Sequence, residues 1–421
     1  MVVVAALCAL AAVGGCSPSK QASIVVTPSA SRGDDPVAIK ITGLPKDAAT
    51  DIGITSTDAA GKAWASQASF TADADGVVDV GTAASTSGSY LGVSPMGLIT
   101  AMNTADAAGE PNLVYRAPAS GSSTFRITVQ ADGVHRTATF DRTFLPDPVT
   151  VSTLTLARDH VSGTYFAPAQ PTSTRPALLL LGGSEGGNSQ VVAAQAYAAR
   201  GIPALAVAYF AAPGLPEHLS DIPLEYFVTA LTWLRRQPRV DQAHVWVSGG
   251  SYGSEAALLL GAQHPDLVHG VLSLSGGNTV TCSIVPGTTT STCHQPPFTS
   301  GGKPVPFTRQ FNNPSPTDVP AAIIPVEKIK GPVLALCGGA DLEWDACQLS
   351  RAALDRREQH GTGRDDLLLS YPDAGHYVDF LIANRPINTA PDNPNNGSTP
   401  QSNLQADADA WPKILARLTR T

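Results

Sequence analysis

The chain of 421 residues has no Cys-x-x-Cys pair, and only Cys293-His294 sets a cysteine beside a histidine. That spacing argues against a zinc framework, and no metal site is expected. Blocks of basic residues are absent too, and the formal net charge is −8. This argues against a nucleic-acid partner and against a polybasic patch for lipid headgroups. Charged residues are scarce at 15% while hydrophobic residues make up 43%, which excludes a disordered chain and fits a globular one. The length allows two or three domains with a large buried core. There are no internal repeats. The glycine-rich stretch Gly182-Gly183-Ser184-Glu185-Gly186-Gly187 lacks the Gly-Lys-Ser/Thr ending of a phosphate-binding loop. No bound cofactor is expected.

What is present is a set of apolar strands that end in chemically useful residues. His244-Val245-Trp246-Val247-Ser248 reads as a strand, and Ser254 to Leu260 reads as a helix. Between them lies Gly249-Gly250-Ser251-Tyr252-Gly253, a G-x-S-x-G pattern that places a serine on a sharp turn above a parallel sheet. Small residues two before and two after the serine let strand and helix approach, and the helix N-terminus aims amide dipoles at a developing oxyanion. Pro332 to Cys337 reads as a buried strand ending in Gly338-Gly339-Ala340-Asp341. Leu367 to Pro372 reads as another, followed by Asp373-Ala374-Gly375-His376. The order Ser251, Asp341, His376 is the Ser…Asp…His order of α/β-hydrolases. Upstream, the strand Pro176 to Leu181 runs into Gly182 to Gly187, which reads as the oxyanion loop. Gly183 and Ser184 are its candidate donors, joined by the backbone N–H of Tyr252. Glu255, one turn after Ser251, has two readings: a buried polar support under the turn, or a first-turn acid favoured by the helix dipole.

These residues resemble the acyl-CoA thioesterase and bile acid-CoA:amino acid N-acyltransferase family. The likeness is carried by Ala206 to Phe210, Leu219 to Phe227, Gly249 to Glu255, Tyr371 to Tyr377 and, near the N-terminus, Gly88 to Leu98. It implies an α/β-hydrolase catalytic domain, a mostly parallel sheet with helices on both faces, preceded by an N-terminal antiparallel β-sandwich. It implies Ser251 as nucleophile, Asp341 as acid and His376 as base, acting on a small-molecule acyl thioester or ester. Hydrolysis of acyl thioesters is the expectation. The alternatives are an exported carboxylester or lipid hydrolase with the same triad and, behind it, an amino-acid N-acyltransferase. The chain departs from the family at Tyr252, where its thioesterases commonly carry Lys. It departs again at Asp379-Phe380-Leu381, where the family has a proline pair. The family's CoA-binding surface is therefore not transferred to this chain residue by residue.

Residues 21–145 alternate short β-type runs with Gly, Asp and Ser turns, as an antiparallel sandwich requires. Leu145-Pro146-Asp147-Pro148 reads as the linker. From 150 to 421 strands alternate with helical patterns at Pro223–Gln237 and Ala346–Glu358, with a closing helix through Trp411, Leu415 and Leu418. Asn384 to Gln401, rich in Pro and Asn, reads as a long surface loop. Residues 1–20 stand apart. Met1 to Gly15 is apolar and too short to span a bilayer, and it has no basic residues ahead of it. It ends in Val13-Gly14-Gly15-Cys16, which resembles the lipobox of bacterial lipoproteins. The expectation is a signal and tether with lipid on Cys16, which would hold the chain at the outer face of the cytoplasmic membrane in the cell envelope. Beyond Cys8 and Cys16, four cysteines fall as near pairs, Cys282 with Cys293 and Cys337 with Cys347, which an exported chain would join as disulfides. For Cys337 a plain buried strand residue is the other reading.

The leader reading predicts that the Cys16→Ala protein is released from the membrane fraction and that wild type carries lipid on Cys16. Membrane fractionation with mass spectrometry of the N-terminal peptide checks this. Identical fractionation with an unprocessed N-terminus in both proteins would remove the assignment.

Overall fold

The computed structural model describes residues 21–104, 113–118, 121–145, 149–169, 173–283, 293–381, 383–388 and 397–420. The leader with Cys16 and most of the linker lie outside these residues. The N-terminal part holds two sheets. One joins Ser23–Thr27, Ala38–Thr42 and Val78–Asp79. The other joins, in spatial order, Ala30–Arg32, Val134–Thr143, Ser123–Ala131, Ala49–Thr57, Ala63–Thr71 and Ser87–Gly88. Side chains of Ala49–Thr57 and Ala63–Thr71 alternate between buried and open positions, the period-2 pattern of a strand with one covered face. Ile52, Ile54, Trp64, Phe70, Phe125 and Ile127 of the larger sheet share one core with Ile39, Ile41 and Val78 of the smaller. The pairing is not wholly antiparallel. The three-residue strand Ala30–Arg32 runs parallel to Val134–Thr143, an edge too short to register in the sequence pattern.

The C-terminal part is built on eight strands: β1 (Val149–Leu154), β2 (Ser162–Pro168), β3 (Arg175–Leu181), β4 (Ala204–Ala208), β5 (Val240–Gly250), β6 (Gly270–Leu274), β7 (Val333–Gly338) and β8 (Leu367–Tyr371). Their order is β1-β2-β4-β3-β5-β6-β7-β8. β1 and β2 pair antiparallel, as do β2 and β4, and from β4 onward all pairs are parallel. The sheet is therefore mixed, with a parallel majority. Five helices cover it: α1 (Val191–Ala199), α2 (Leu224–Arg235), α3 (Tyr252–Gln263), α4 (Ala346–Gln359) and α5 (Pro400–Leu418). Leu178 and Leu180 of β3 pack under Tyr197 of α1 and Trp411 and Ile414 of α5. Leu179 and Leu181 pack on the other face with Phe227 of α2, Leu260 of α3 and Leu349 of α4. Strands buried on both faces explain their unbroken apolar sequences.

The segment expected as a surface loop over Asn384 to Gln401 begins differently, and residues 389–396 of it lie outside the described residues. Asn384 and Arg385 are buried, and Ile387–Asn388 pairs with Leu113–Val114 of the N-terminal part. Asp34 anchors this junction. It takes Arg200 Nε at 2.6 Å and Trp411 Nε1 at 2.7 Å, while its carbonyl accepts from Asn384 Nδ2 at 2.9 Å. Arg142, fully buried, donates to the carbonyls of Gly33, Asp35 and Asn384. The carbonyl and carboxylate partners of Asp34 and Arg142 offset much of the cost of burying their charges, while Arg385 has Gln195 Oε1 at 3.2 Å and the Phe144 ring beneath its guanidinium.

Candidate active site

β5 turns into α3 through Ser251, whose backbone sits at φ 53° and ψ −123°. A non-glycine residue there carries strain of about 1–3 kcal/mol. The turn is held by Ser251 N–H to Leu274 O at 2.9 Å and Ser254 N–H to Ser251 O at 2.9 Å. Glycine is obligatory on both sides. A Cβ added to Gly249 would fall 1.9 Å from Gly253 O, and one on Gly253 would fall 2.3 Å from Gly182 O. The three chain crossings therefore meet backbone to backbone, and Ser251 is lifted to the C-terminal ends of the parallel strands.

Asp341 lies three residues past β7, and His376 five past β8. Asp341 Oδ1 accepts from the N–H groups of Glu343 and Trp344 at 2.9 and 3.3 Å, which fixes the carboxylate. Its Oδ2 lies 2.8 Å from His376 Nδ1, and His376 Nε2 lies 3.1 Å from Ser251 Oγ. The structure thus brings the three sequence-predicted residues into one hydrogen-bonded chain. Trp344 sits edge-on to the imidazole at 5.5 Å and is itself held by Nε1 to Ser275 O at 2.8 Å. Burial works against the charged imidazole, but the hydrogen bond and charge of Asp341, with the charges of Asp379 and Glu343, outweigh it and raise its pKa. The disulfide Cys337–Cys347 joins the two roots of the loop that carries Asp341, and Cys282–Cys293 is formed as well.

Next to Ser251, Tyr252 opens α3, so its N–H has no intrahelical acceptor. Its phenol points the other way, donating to Cys282 O at 2.7 Å. The Gly183 N–H donates to Glu185 Oε1 at 3.1 Å, a contact the sequence did not suggest, and Ser184 is exposed. Tyr209 Oη lies 2.5 and 2.9 Å from the carbonyl oxygens of Gly182 and Gly183. Glu255 is 1% exposed and accepts from Thr281 Oγ1 at 2.6 Å, so it is the buried support of the turn. Asp379 was legible only as a departure from a proline. Its Oδ2 stands 2.9 Å from where a Gly250 Cβ would be, and its buried Oδ1 has no partner among the described residues. Trp344 carried no sequence signal. Among the described residues no group of His, Cys, Asp and Glu is placed to hold a metal ion.

Two regions of the chain match family models. Residues 34–155 match "Acyl-CoA thioester hydrolase/BAAT N-terminal region", and residues 222–420 match "BAAT / Acyl-CoA thioester hydrolase C terminal". The chain belongs to the acyl-CoA thioester hydrolase/BAAT family. Within it, the chain is 28% identical to acyl-coenzyme A thioesterase 6 of Mus musculus over 401 residues, covering 90% of this chain and 92% of that protein. It is 28% identical to acyl-coenzyme A amino acid N-acyltransferase 1 of Mus musculus over 388 residues, covering 85% and 86%. Among solved structures, an esterase from Pyrobaculum calidifontis aligns with 64% of this chain and 85% of its own at 17% identity and a TM-score of 0.42. The two matched regions leave out residues 156–221, so the Gly182–Gly187 loop of this family member falls between them.

Burial raises the Glu255 carboxyl to about 8, against the pull of the Thr281 hydrogen bonds, and burial likewise raises Asp379 to about 8. A carboxyl with a raised folded pKa keeps its proton in the native chain after the unfolded chain has lost it. Stability from such a group is greatest below the ordinary carboxylate range and falls as pH climbs toward the folded pKa. Thermal melting of Glu255→Gln should therefore show a smaller drop in Tm from about pH 5 to about pH 8 than wild type. An equal drop would show that Glu255 does not titrate this way.

Proposed function

We propose that this chain is a serine hydrolase that cleaves acyl thioesters through Ser251, His376 and Asp341 and an acyl-enzyme. The hydrogen-bonded chain from Asp341 through His376 to Ser251, on three loops at one end of a parallel sheet, carries the reading. His376 Nε2 takes the Ser251 proton as Oγ attacks the acyl carbonyl, and Nδ1–H donates to Asp341, which stabilises the imidazolium. The N–H groups of Tyr252 and Gly183 hold the oxyanion. Collapse expels the thiolate, which takes the proton from His376 and leaves as the thiol. Water, deprotonated by His376, then attacks the acyl-serine, and a second collapse releases the acid and restores Ser251. The N-terminal sheets would form the family's β-sandwich.

One observation favours a second reading, an exported carboxylester hydrolase with the same triad. Two disulfides belong to an oxidising compartment, whereas CoA is a cytosolic cofactor. With this reading goes the lipid anchor on Cys16.

Ser251→Ala should lower kcat by about a thousandfold or more, and Asp341→Asn nearly as much, whereas Glu343→Gln and Asp345→Asn should stay near wild type. If Glu343 or Asp345 is the damaging position, the acid assignment falls. Since the neutral imidazole is the base, kcat/KM should rise with pH along a limb above the ordinary histidine value of about 6.5, and Asp341→Asn should move that limb down.

Hydrolysis should also prevail over transfer. An acyl-serine ester is less reactive toward amines than an acyl-cysteine thioester, and His376 can activate water equally well from either. With an acyl thioester and millimolar glycine or taurine, mass spectrometry should find free acid. Amide as the main product would contradict the hydrolase reading and promote the acyltransferase.

A further inference from the structure

In the resting chain, Gly183 N–H already has an anionic acceptor. It donates to Glu185 Oε1 at 3.1 Å. A Cβ added to Gly183 would stand 2.9 Å from Ser251 Cβ and 3.0 Å from Glu185 Oε2, so loop, nucleophile and carboxylate converge on one small volume. The loop backbone is pinned there. Buried Tyr209 sets its hydroxyl against the carbonyls of both Gly182 and Gly183, and Gly187 N–H donates to Phe210 O at 3.0 Å. Gly186 and Gly187 hold φ of 71° and 62°, and a Cβ on Gly186 would meet Ala211 Cβ at 2.6 Å. Glu185, in contrast, is an exposed side chain. The backbone is held at several points, whereas the carboxylate belongs to an exposed residue and is tied to the loop through the Gly183 N–H.

We propose that Glu185 is an internal occupant of the oxyanion site, whose carboxylate holds the Gly183 amide and must turn outward before an acyl carbonyl can dock. This rests on the serine-hydrolase reading above. A carboxylate oxygen and a tetrahedral oxyanion are both anionic acceptors, and the one N–H cannot serve both in full. Glu185 therefore competes with the substrate carbonyl and, more strongly, with the transition state. It also adds a negative charge beside the place where negative charge develops. No bond is made or broken by this residue. It opposes docking, and its effect appears in kcat/KM.

The test is steady-state kinetics of Glu185→Ala and Glu185→Gln, with binding of an acyl trifluoromethyl ketone that forms an oxyanion on Ser251. Glu185→Ala should raise kcat/KM by about three- to tenfold and tighten the ketone by a similar factor. Glu185→Gln keeps an acceptor without the charge and should fall between Glu185→Ala and wild type. An unchanged or lower kcat/KM for both variants overturns the proposal. If Glu185→Ala melts at a lower temperature, the near-isosteric Glu185→Gln decides alone, a gain supporting the proposal and no gain overturning it. Ser251→Ala separates the two readings. Wild-type turnover that does not depend on Ser251 removes the hydrolase reading and this proposal together. Ser251-dependent turnover with no gain on removing Glu185 removes this proposal only.

Discussion

Where β5 turns into α3, backbone packs on backbone, and the placement of every group around Ser251 depends on that contact. Gly249 meets Gly253, and Gly253 meets the carbonyls of Leu181 and Gly182. No side chain fits between them, so the Ser251 turn and the Gly182–Gly187 loop lie closer than two strand ends with ordinary residues could. The same solution recurs at the loops of Asp341 and His376. A Cβ on Gly338 would meet Ala374 O at 2.3 Å, which lets the chain before Asp341 run against the chain before His376. Four chain segments converge because glycine separates none of them.

That convergence crowds negative charge. Asp341, Asp379 and Glu343 all favour the charged form of His376, and the charge of Glu185 acts on Asp379 beside it. The acids differ in their surroundings. Asp341 is held by two amide donors and the imidazole, Asp379 is pushed toward its neutral form by burial, and Glu185 and Glu343 stand at the solvent edge. Tertiary ties fix the surroundings. Tyr252 and Glu255 of α3 are bonded to Cys282 and Thr281, beside the Cys282–Cys293 bridge, while Cys337–Cys347 closes the loop of Asp341.

Ser251, Asp341 and His376 were legible because each follows an apolar run that could only be a buried strand, and because three such runs in that order have one common arrangement. The helices over Leu224–Arg235 and Ala346–Gln359 were legible from their apolar period. Other features depend on partners far apart in the chain. Nothing near Arg142 announces that Asn384 will take its guanidinium, and nothing in the Pro- and Asn-rich stretch after Asn384 announces that its first residues are buried under the N-terminal sheets. Glu185 was visible as a letter in a glycine loop. That its carboxylate folds back onto Gly183 is a matter of side-chain torsion, which sequence spacing does not encode. Trp344 was equally silent, since its role against His376 arises from the turn that Asp341 itself nucleates.

The central claim is that Ser251 is the activated nucleophile. A fluorophosphonate probe reacts covalently with such a serine, and peptide mapping by mass spectrometry locates the adduct. The account predicts the label on Ser251 and its loss in a protein whose His376 is replaced by Ala. A label on another residue, or continued acyl turnover by a protein whose Ser251 stays unlabelled, would contradict it.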